Sequence, residues 1–224
     1  MTRRVIALIP AYNEAARVGE VVAKARRAVD EVVVINDGSS DGTASAAEKA
    51  GARVLRHEQN RGKGGAIATA LDYFERSNAE LAVLLDADGQ HDPAEIAKFV
   101  ETAGREQADI VVGNRMGDTE EMPAVRRLTN QFTSWVTSKL ARQRIPDSQC
   151  GFRLLRRSVL KDLQLSTARF ETETEMLIQA ARAGHRIISI PIRTIYETGR
   201  PSHVHPVRDT IRFFTFVRKY WKTS

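Results

Sequence analysis

A parallel α/β sheet covered by helices on both faces is the fold this sequence predicts, and three observations predict it. Short β-branched apolar runs alternate with helical periodicity through the first half. Each run ends in Gly, Pro, Asn or Asp, and the runs are apolar throughout rather than alternating, as strands buried on both faces must be. The elements follow in order. Residues 5–9 read as a strand and 14–28 as a helix, with Val18, Val21, Val22 and Ala25 on one face. Residues 32–35 form a second strand, followed by a helix over about 43–50. Strands at 52–55, 81–85 and 110–112 are separated by helices near 65–76 and 93–104. After Gly113 come a loop, a long helix near 125–142, a loop from Ile145, a helix near 173–183, a strand at 187–192 and a Pro/His-rich loop. No repeat, low-complexity tract or long linker interrupts this, so 1–206 reads as a single domain with a separate final helix over 207–224.

Composition narrows the class. With 224 residues, 42% apolar and 28% charged, the chain is globular in type and long enough for a full core without covalent staples. Its single Cys150 cannot form an internal disulfide, the opening MTRRVIALIPAYNE does not read as a secretory signal, and no run approaches the roughly 18 apolar residues of a membrane span. A cytoplasmic protein is the expectation. The net charge of +6 hides an asymmetry: residues 1–124 carry 15 Lys+Arg against 21 Asp+Glu, and residues 125–224 carry 19 against 7. The basic second half points to an anionic partner such as a phosphate, a nucleic acid or a membrane surface; a merely solvated basic surface is the competing reading.

Ligands of open α/β sheets bind beyond the carboxyl ends of the strands, and here those ends are polar. The first strand leads into Pro10-Ala11-Tyr12-Asn13-Glu14, the second into Asn36-Asp37-Gly38-Ser39-Ser40-Asp41-Gly42-Thr43, the fourth into Asp86-Ala87-Asp88-Gly89-Gln90-His91. Asp86 and Asp88 flank one residue just past a buried strand, with Gln90 adding a neutral oxygen. That set suits a hard divalent cation, Mg2+ or Mn2+, whose shell is completed by phosphate and water. A plain turn is the alternative for so short a motif. The stretch 37–48 approaches a calcium-loop pattern but follows a strand-type run and has Ser39 at its third position. It reads as a turn and helix cap, with Asp37 also able to accept from a nucleobase or ribose. Residues 60–65, NRGKGG, lack the Ser/Thr and the spacing of a Walker A loop. Lys63 and the loop's N–H groups still suit a diphosphate.

Taken together, IPAYNE at 9–14, NDGSSDGT at 36–43, NRGKGGA at 60–66, DADGQHDP at 86–93, GNR at 113–115, DSQCGFR at 147–153, ETE at 173–175, SIPIRTIYE at 189–197 and SHVHPVRDTIR at 202–212 resemble a known family. These are the family-2 inverting glycosyltransferases of the GT-A fold, in particular the polyprenyl and dolichyl phosphate sugar synthases. The resemblance spans nearly the whole chain. It implies a mostly parallel central sheet, a nucleotide-sugar half over about 1–113 and an acceptor half over about 114–206. Pro10, Tyr12, Glu14 and Asp37 match nucleoside-contacting positions, and Asp86, Asp88 and Gln90 match the metal-binding D-x-D-x-Q. Arg115, with Arg126 or Arg127, matches basic residues near the sugar and acceptor phosphates. The chain departs from the pattern at Asn36, where many members have Asp, and at Thr172, where an aromatic often precedes E-T-E.

In an inverting transfer the acceptor oxygen attacks opposite a departing nucleoside diphosphate. A hydroxyl acceptor needs a general base, for which Glu173 and Glu175 are the candidates; a phosphate acceptor is already anionic. The Arg-rich second half, including Arg153, Arg200 and Arg208, favours the phosphate. Gln149, Ser202 and His203 complete the expected acceptor side, Asp147 is expected either to orient an Arg or to cap a helix, and Cys150 is read as a small buried residue. In the final helix, Ile211, Phe214, Val217 and Trp221 form a stripe with Phe213, Phe216 and Tyr220 beside it and Arg and Lys elsewhere. The pattern fits either a membrane interface or packing on the domain. The expectation is therefore a metal-dependent hexosyltransferase, peripheral on the cytoplasmic face of a membrane, using a UDP-glucose or GDP-mannose type donor and polyprenyl phosphate. Transfer to a saccharide or small-molecule hydroxyl is the nearest alternative, and a sugar-1-phosphate nucleotidyltransferase a further one. A nucleic-acid-binding module would explain the pI near 9.7 but not the acidic half or the D-x-D-x-Q, so no nucleic acid is expected.

Overall fold

The computed structural model describes residues 3–117, 122–167, 171–195, 216–218 and 220. Among them, seven strands form one sheet: β1 (Val5–Ala11), β2 (Glu31–Asn36), β3 (Arg53–Arg56), β4 (Leu81–Leu84), β5 (Ile110–Asn114), β6 (Arg153–Arg156) and β7 (Ile187–Pro191). Their order is β3-β2-β1-β4-β6-β5-β7. β6 runs antiparallel to both β4 and β5, and every other pairing is parallel. The helices are α1 (Val18–Ala25), α2 (Thr43–Lys49), α3 (Gly62–Arg76), α4 (Ile96–Arg105), α5 (Ala124–Ala141) and α6 (Glu171–Arg182).

The uniform apolar runs follow from burial on both sides. In β1, Val5, Ala7 and Ile9 enter one hydrophobic cluster while Ile6 and Leu8 enter the other, and β2 and β4 divide in the same way. Helix α3 covers one face with Ala66, Ile67, Ala70 and Phe74. Helices α1, α4 and α5 cover the other, and α6 contributes Met176 to the cluster under α3 and Leu177 and Ile178 to the cluster on the opposite face. Among the described residues no helix is long and apolar enough to cross a membrane.

Three sequence expectations are corrected here. The helix read over 14–28 is confined to Val18–Ala25. Its expected first turn is held elsewhere, since Glu14 N–H donates to Thr43 Oγ1 (2.8 Å) and Ala15 N–H to Asp41 Oδ2 (3.2 Å). The basic glycine loop is itself the first turn of α3, starting at Gly62 rather than Gly65. Strand β6 escaped sequence reading because only Leu154 and Leu155 are apolar between two arginines.

Candidate active site

The polar ends of β1, β2, β3 and β4 lie along one edge of the sheet, and the loops there are tied to one another. Asn13, at φ 55°, accepts Ser40 N–H on its Oδ1 (2.9 Å), while its own N–H donates to Ser39 Oγ (3.0 Å). Asp37 N–H donates to Ala11 O (2.9 Å). Gly38 takes φ +69°, and a Cβ there would stand 2.5 Å from the backbone of Gln59, so the loop after β2 closes directly on the loop after β3. Asp41 accepts from Thr43 N–H and hydroxyl, the turn expected of it, while the N-cap position of α2 is Gly42.

The Asp37 carboxylate is buried and already organised. Its Oδ1 accepts from His57 Nδ1 (2.6 Å) and from Arg61 N–H (2.9 Å), and His57 Nε2 meets Thr69 Oγ1 at 2.9 Å. Sequence reasoning missed His57, although a signal was present: it follows β3 directly, at a strand end where polar residues were weighed for β1, β2 and β4. Near this pair, Tyr12 is exposed, Pro10 is partly buried, and Glu14 lies 3.7 Å from Arg17.

Beyond β4 the charges form a chain. Lys63 Nζ stands 2.8 Å from Asp86 Oδ1 and 3.3 Å from Glu173 Oε2, and Arg153 Nη2 stands 3.7 Å from Glu173 Oε1. Burial opposes the charge on Lys63, but Asp86 and Glu173 hold it protonated well above the ordinary lysine range. Burial likewise pushes Asp86 up, and Lys63 outweighs it, so the carboxyl lies below the usual range. Gly151 abuts Asp86, and a Cβ there would overlap the carboxylate. Asp88, partly buried, accepts Gln90 N–H on Oδ1 (2.9 Å). His91 is buried beside Phe152, ring centroids 5.6 Å apart; burial pushes its imidazole down to about 4, leaving it neutral at pH 7.

The donor chemistry of Asp86, Asp88 and Gln90 is all oxygen, which fits a hard divalent cation. Among the described residues no three His, Cys, Asp or Glu side chains converge as a complete cage. The fit is therefore to a cation that keeps water and takes ligand oxygens, the Mg2+ or Mn2+ type.

On the far side, Arg115 and Asp147 form a buried bidentate pair. Arg115 Nε donates to Asp147 Oδ2 (2.7 Å), Nη2 to Oδ1 (2.9 Å), and the Arg115 N–H to Oδ2 (3.1 Å). Asp147 thus orients an Arg rather than capping a helix. Gln149 bridges Ser148 and Thr174, with its Nε2 3.4 and 3.3 Å from their hydroxyls. Burial lifts the Cys150 thiol to about 12, so it is no thiolate nucleophile.

Four predicted residues stand elsewhere. Arg153, expected to bind substrate, is fully buried; its guanidinium donates to Cys150 O, Ser148 O and Glu173 O, which makes it a clamp on the 148–150 loop and the start of α6. Glu175 lies two residues from Glu173, hence about 200° around the helix, and points away from Lys63. It accepts from Ser166 and Thr167 N–H (2.9 Å each), their hydroxyls and the Tyr220 hydroxyl (3.0 Å). Arg126 and Arg127 stand exposed on the first turn of α5. Arg200, Ser202 and His203 lie outside the described residues, as does most of 207–224; of that segment, Phe216 and Tyr220 are buried.

Comparison with known proteins gives concordant matches. Residues 6–164 match the sequence profile of Glycosyl transferase family 2. The chain is 34% identical over 212 residues to a UDP-N-acetylglucosamine–dolichyl-phosphate N-acetylglucosaminyltransferase of Methanococcus voltae, covering 84% of each chain. It is 29% identical over 202 residues to an undecaprenyl-phosphate mannosyltransferase of Micrococcus luteus, covering 84% of this chain and 82% of that one. Among solved structures, glucosyl-3-phosphoglycerate synthase of Mycobacterium tuberculosis, in complex with Mg2+ and UDP, superposes with a TM-score of 0.72 at 21% identity. That match covers 99% of this chain and 79% of the other, and establishes the GT-A fold.

Proposed function

The chain belongs to glycosyl transferase family 2 and is a glycosyltransferase; from that premise we propose that it moves a hexose, with inversion, from a nucleoside diphosphate sugar to polyprenyl phosphate. The observation that carries the choice of acceptor is the condition of the two candidate bases. Glu173 has Lys63 on one oxygen and Arg153 near the other. Burial raises the Glu175 carboxyl, but hydrogen bonds from Ser166 and Thr167 outweigh it and hold the group below the usual carboxylate range. A hydroxyl acceptor needs a carboxylate ready to take its proton, and both glutamates are engaged with other donors. A phosphate acceptor brings its own charge and needs positioning, which a basic acceptor half supplies. The dolichyl and undecaprenyl phosphates in the names of the relatives support the same choice.

In this reading residues 1–113 bind the donor, with Pro10, Tyr12, Glu14 and Asp37 around the nucleoside and Lys63 beside the diphosphate. Asp86, Asp88 and Gln90 hold Mg2+ or Mn2+, which when bound offsets charge on the leaving group. Arg115 and Gln149, with Arg126, Arg127, Arg200, Ser202 and His203 as the further candidates from sequence, are assigned to the acceptor phosphate, and the enzyme works as a peripheral protein on the cytoplasmic face of a membrane. The test is transfer from UDP-glucose, UDP-N-acetylglucosamine and GDP-mannose to polyprenyl phosphate, with and without Mg2+ or Mn2+. The expected product is an organic-extractable glycosyl phospholipid from one of the three. Sugar transfer to a saccharide hydroxyl, with none to the lipid phosphate, would overturn the acceptor assignment.

His57 offers a check on the donor half. His57→Ala removes one of the two donors holding Asp37 Oδ1, and the freed carboxylate turns toward water. Nucleoside diphosphate affinity by calorimetry is expected to fall about tenfold, the equivalent of a hydrogen bond to a charged group. Unchanged affinity would remove Asp37 from the nucleoside site.

A further inference from the structure

Lys63 joins three elements at the polar edge of the sheet. It is the second residue of α3, and its ammonium reaches Asp86 Oδ1 (2.8 Å), just past β4, and Glu173 Oε2 (3.3 Å), in the first turn of α6. Asp86 belongs to the oxygen set that suits a divalent cation; Glu173 does not. The two oxygens of Asp86 are unequal. Oδ2 lies against Gly151, where an added Cβ would overlap it, and Oδ1 carries the ammonium. A divalent cation drawn to this carboxylate therefore meets a positive charge already seated on it, and like charges repel far more strongly in a partly buried site than in water.

The ammonium has a second seat. Glu173 is buried, and Arg153, 3.7 Å from its other oxygen, offsets part of its charge, so Glu173 does not hold Lys63 outright. Lys63 can leave Asp86 without being stranded, but a cation arriving alone displaces it at the loss of its shorter ion pair. A diphosphate changes that balance. Its charges at the start of α3, where the helix's free N–H groups gather, lie beside the stem of Lys63 and replace what the ammonium gives up on Asp86.

We propose that Lys63 is the counter-ion that couples the cation site to the donor: it holds Asp86 until a nucleoside diphosphate draws it away, so that Asp86 takes a divalent cation tightly only in the presence of that nucleotide. The inference rests on the reading of Asp86, Asp88 and Gln90 as the cation site and of the donor as a nucleoside diphosphate sugar, and its test keeps the two apart.

Free Mn2+ is counted by electron paramagnetic resonance with the full-length protein alone, with UDP and with GDP, and Asp88→Asn is the control that places bound Mn2+ at this site. The wild type is expected to bind Mn2+ weakly without nucleotide. Lys63→Gln, whose amide can still donate to a carboxylate, is expected to bind it at least about tenfold more tightly, the scale of removing a like charge from beside the ion. The factor by which nucleotide strengthens Mn2+ binding should shrink to match, the remainder being direct ligation by phosphate oxygens. Lys63→Arg keeps the charge and should stay weak without nucleotide, a contrast that a purely structural role would not produce. The wild type gives a second readout that does not depend on the folding of Lys63→Gln. With lysine Nζ labelled with 15N, and the Lys63 signal identified by its loss in Lys63→Arg, the ammonium resonance is expected to shift with Mg2+ plus nucleotide and to stay in place with Mg2+ alone. Equal nucleotide-free affinity in Lys63→Gln and wild type, with Mn2+ still recruited by a nucleotide through Asp88, overturns the proposal and leaves the cation site standing. A shift of the ammonium with Mg2+ alone does the same. Mn2+ binding that no nucleotide strengthens and Asp88→Asn does not weaken overturns the cation reading, and the proposal with it.

Discussion

Asp88→Asn is expected to lower sugar transfer by roughly 10³-fold, the scale of losing one charge that acts on a developing leaving group, while the protein stays folded. The substitution is close to isosteric. Asn retains an oxygen to accept Gln90 N–H, the bond that shapes the turn after β4, so the change is confined to charge. Asp86 is the less informative choice. Its carboxylate is paired with Lys63 and packed against Gly151, so Asp86→Asn would release Lys63 toward Glu173 and disturb a buried network along with any ligand. The measurement is kcat and KM for donor and acceptor across a Mn2+ titration, beside a thermal melt. A loss of less than tenfold at saturating metal would exclude Asp88 from the cation site.

The contrast between those two aspartates shows what the sequence holds and what it hides. β1, β2 and β4 are readable because both of their faces are buried, so their identity is written in consecutive residues. β6 is not, because its burial depends on partners far away in the chain. Arg156 is tolerated at the end of an interior strand since its guanidinium reaches Ala103 O (2.5 Å) in the last turn of α4 and Ala108 O (2.8 Å) just past it. Arg153 is tolerated by the carbonyls of Ser148, Cys150 and Glu173. Each guanidinium, buried for Arg153 and partly buried for Arg156, is satisfied by backbone oxygens, and no local pattern announces that. The same holds at the site. The strand-end rule finds Asp37, Asp86 and Asp88, and applied to β3 it would have found His57. It does not separate Glu173 from Glu175, which read alike in sequence and are divided only by the turn of the helix and by Lys63 arriving from α3.

Asp147→Ala is expected to destabilise the fold by about 3–5 kcal/mol, the cost of leaving one member of a buried ion pair alone, which in a domain this size lowers the melting midpoint by roughly 10 °C. Burial by itself would raise the Asp147 carboxyl. The hydrogen bonds and charge of Arg115, with Gln149 N–H also donating, outweigh it and hold the group below the usual carboxylate range. Because the folded pKa lies under the unfolded value of about 3.9, the stability this pair contributes is complete above that pH. It is lost as pH falls through the folded pKa. Wild type and variant unfolding curves should therefore converge at acid pH and stand apart at neutral pH. Urea titrations at pH 7 and below pH 4 measure this directly, and a constant gap between them would show that the carboxylate charge is not what Arg115 requires. Arg115→Lys divides structure from function. A lysine keeps the charge and one hydrogen bond but loses the fork, so it should recover much of the stability. If Asp147 aims Arg115 at the acceptor phosphate, kcat/KM for polyprenyl phosphate stays depressed in Arg115→Lys while donor affinity is unchanged. Recovery of both would leave the pair a structural tie between the end of β5 and the loop before β6.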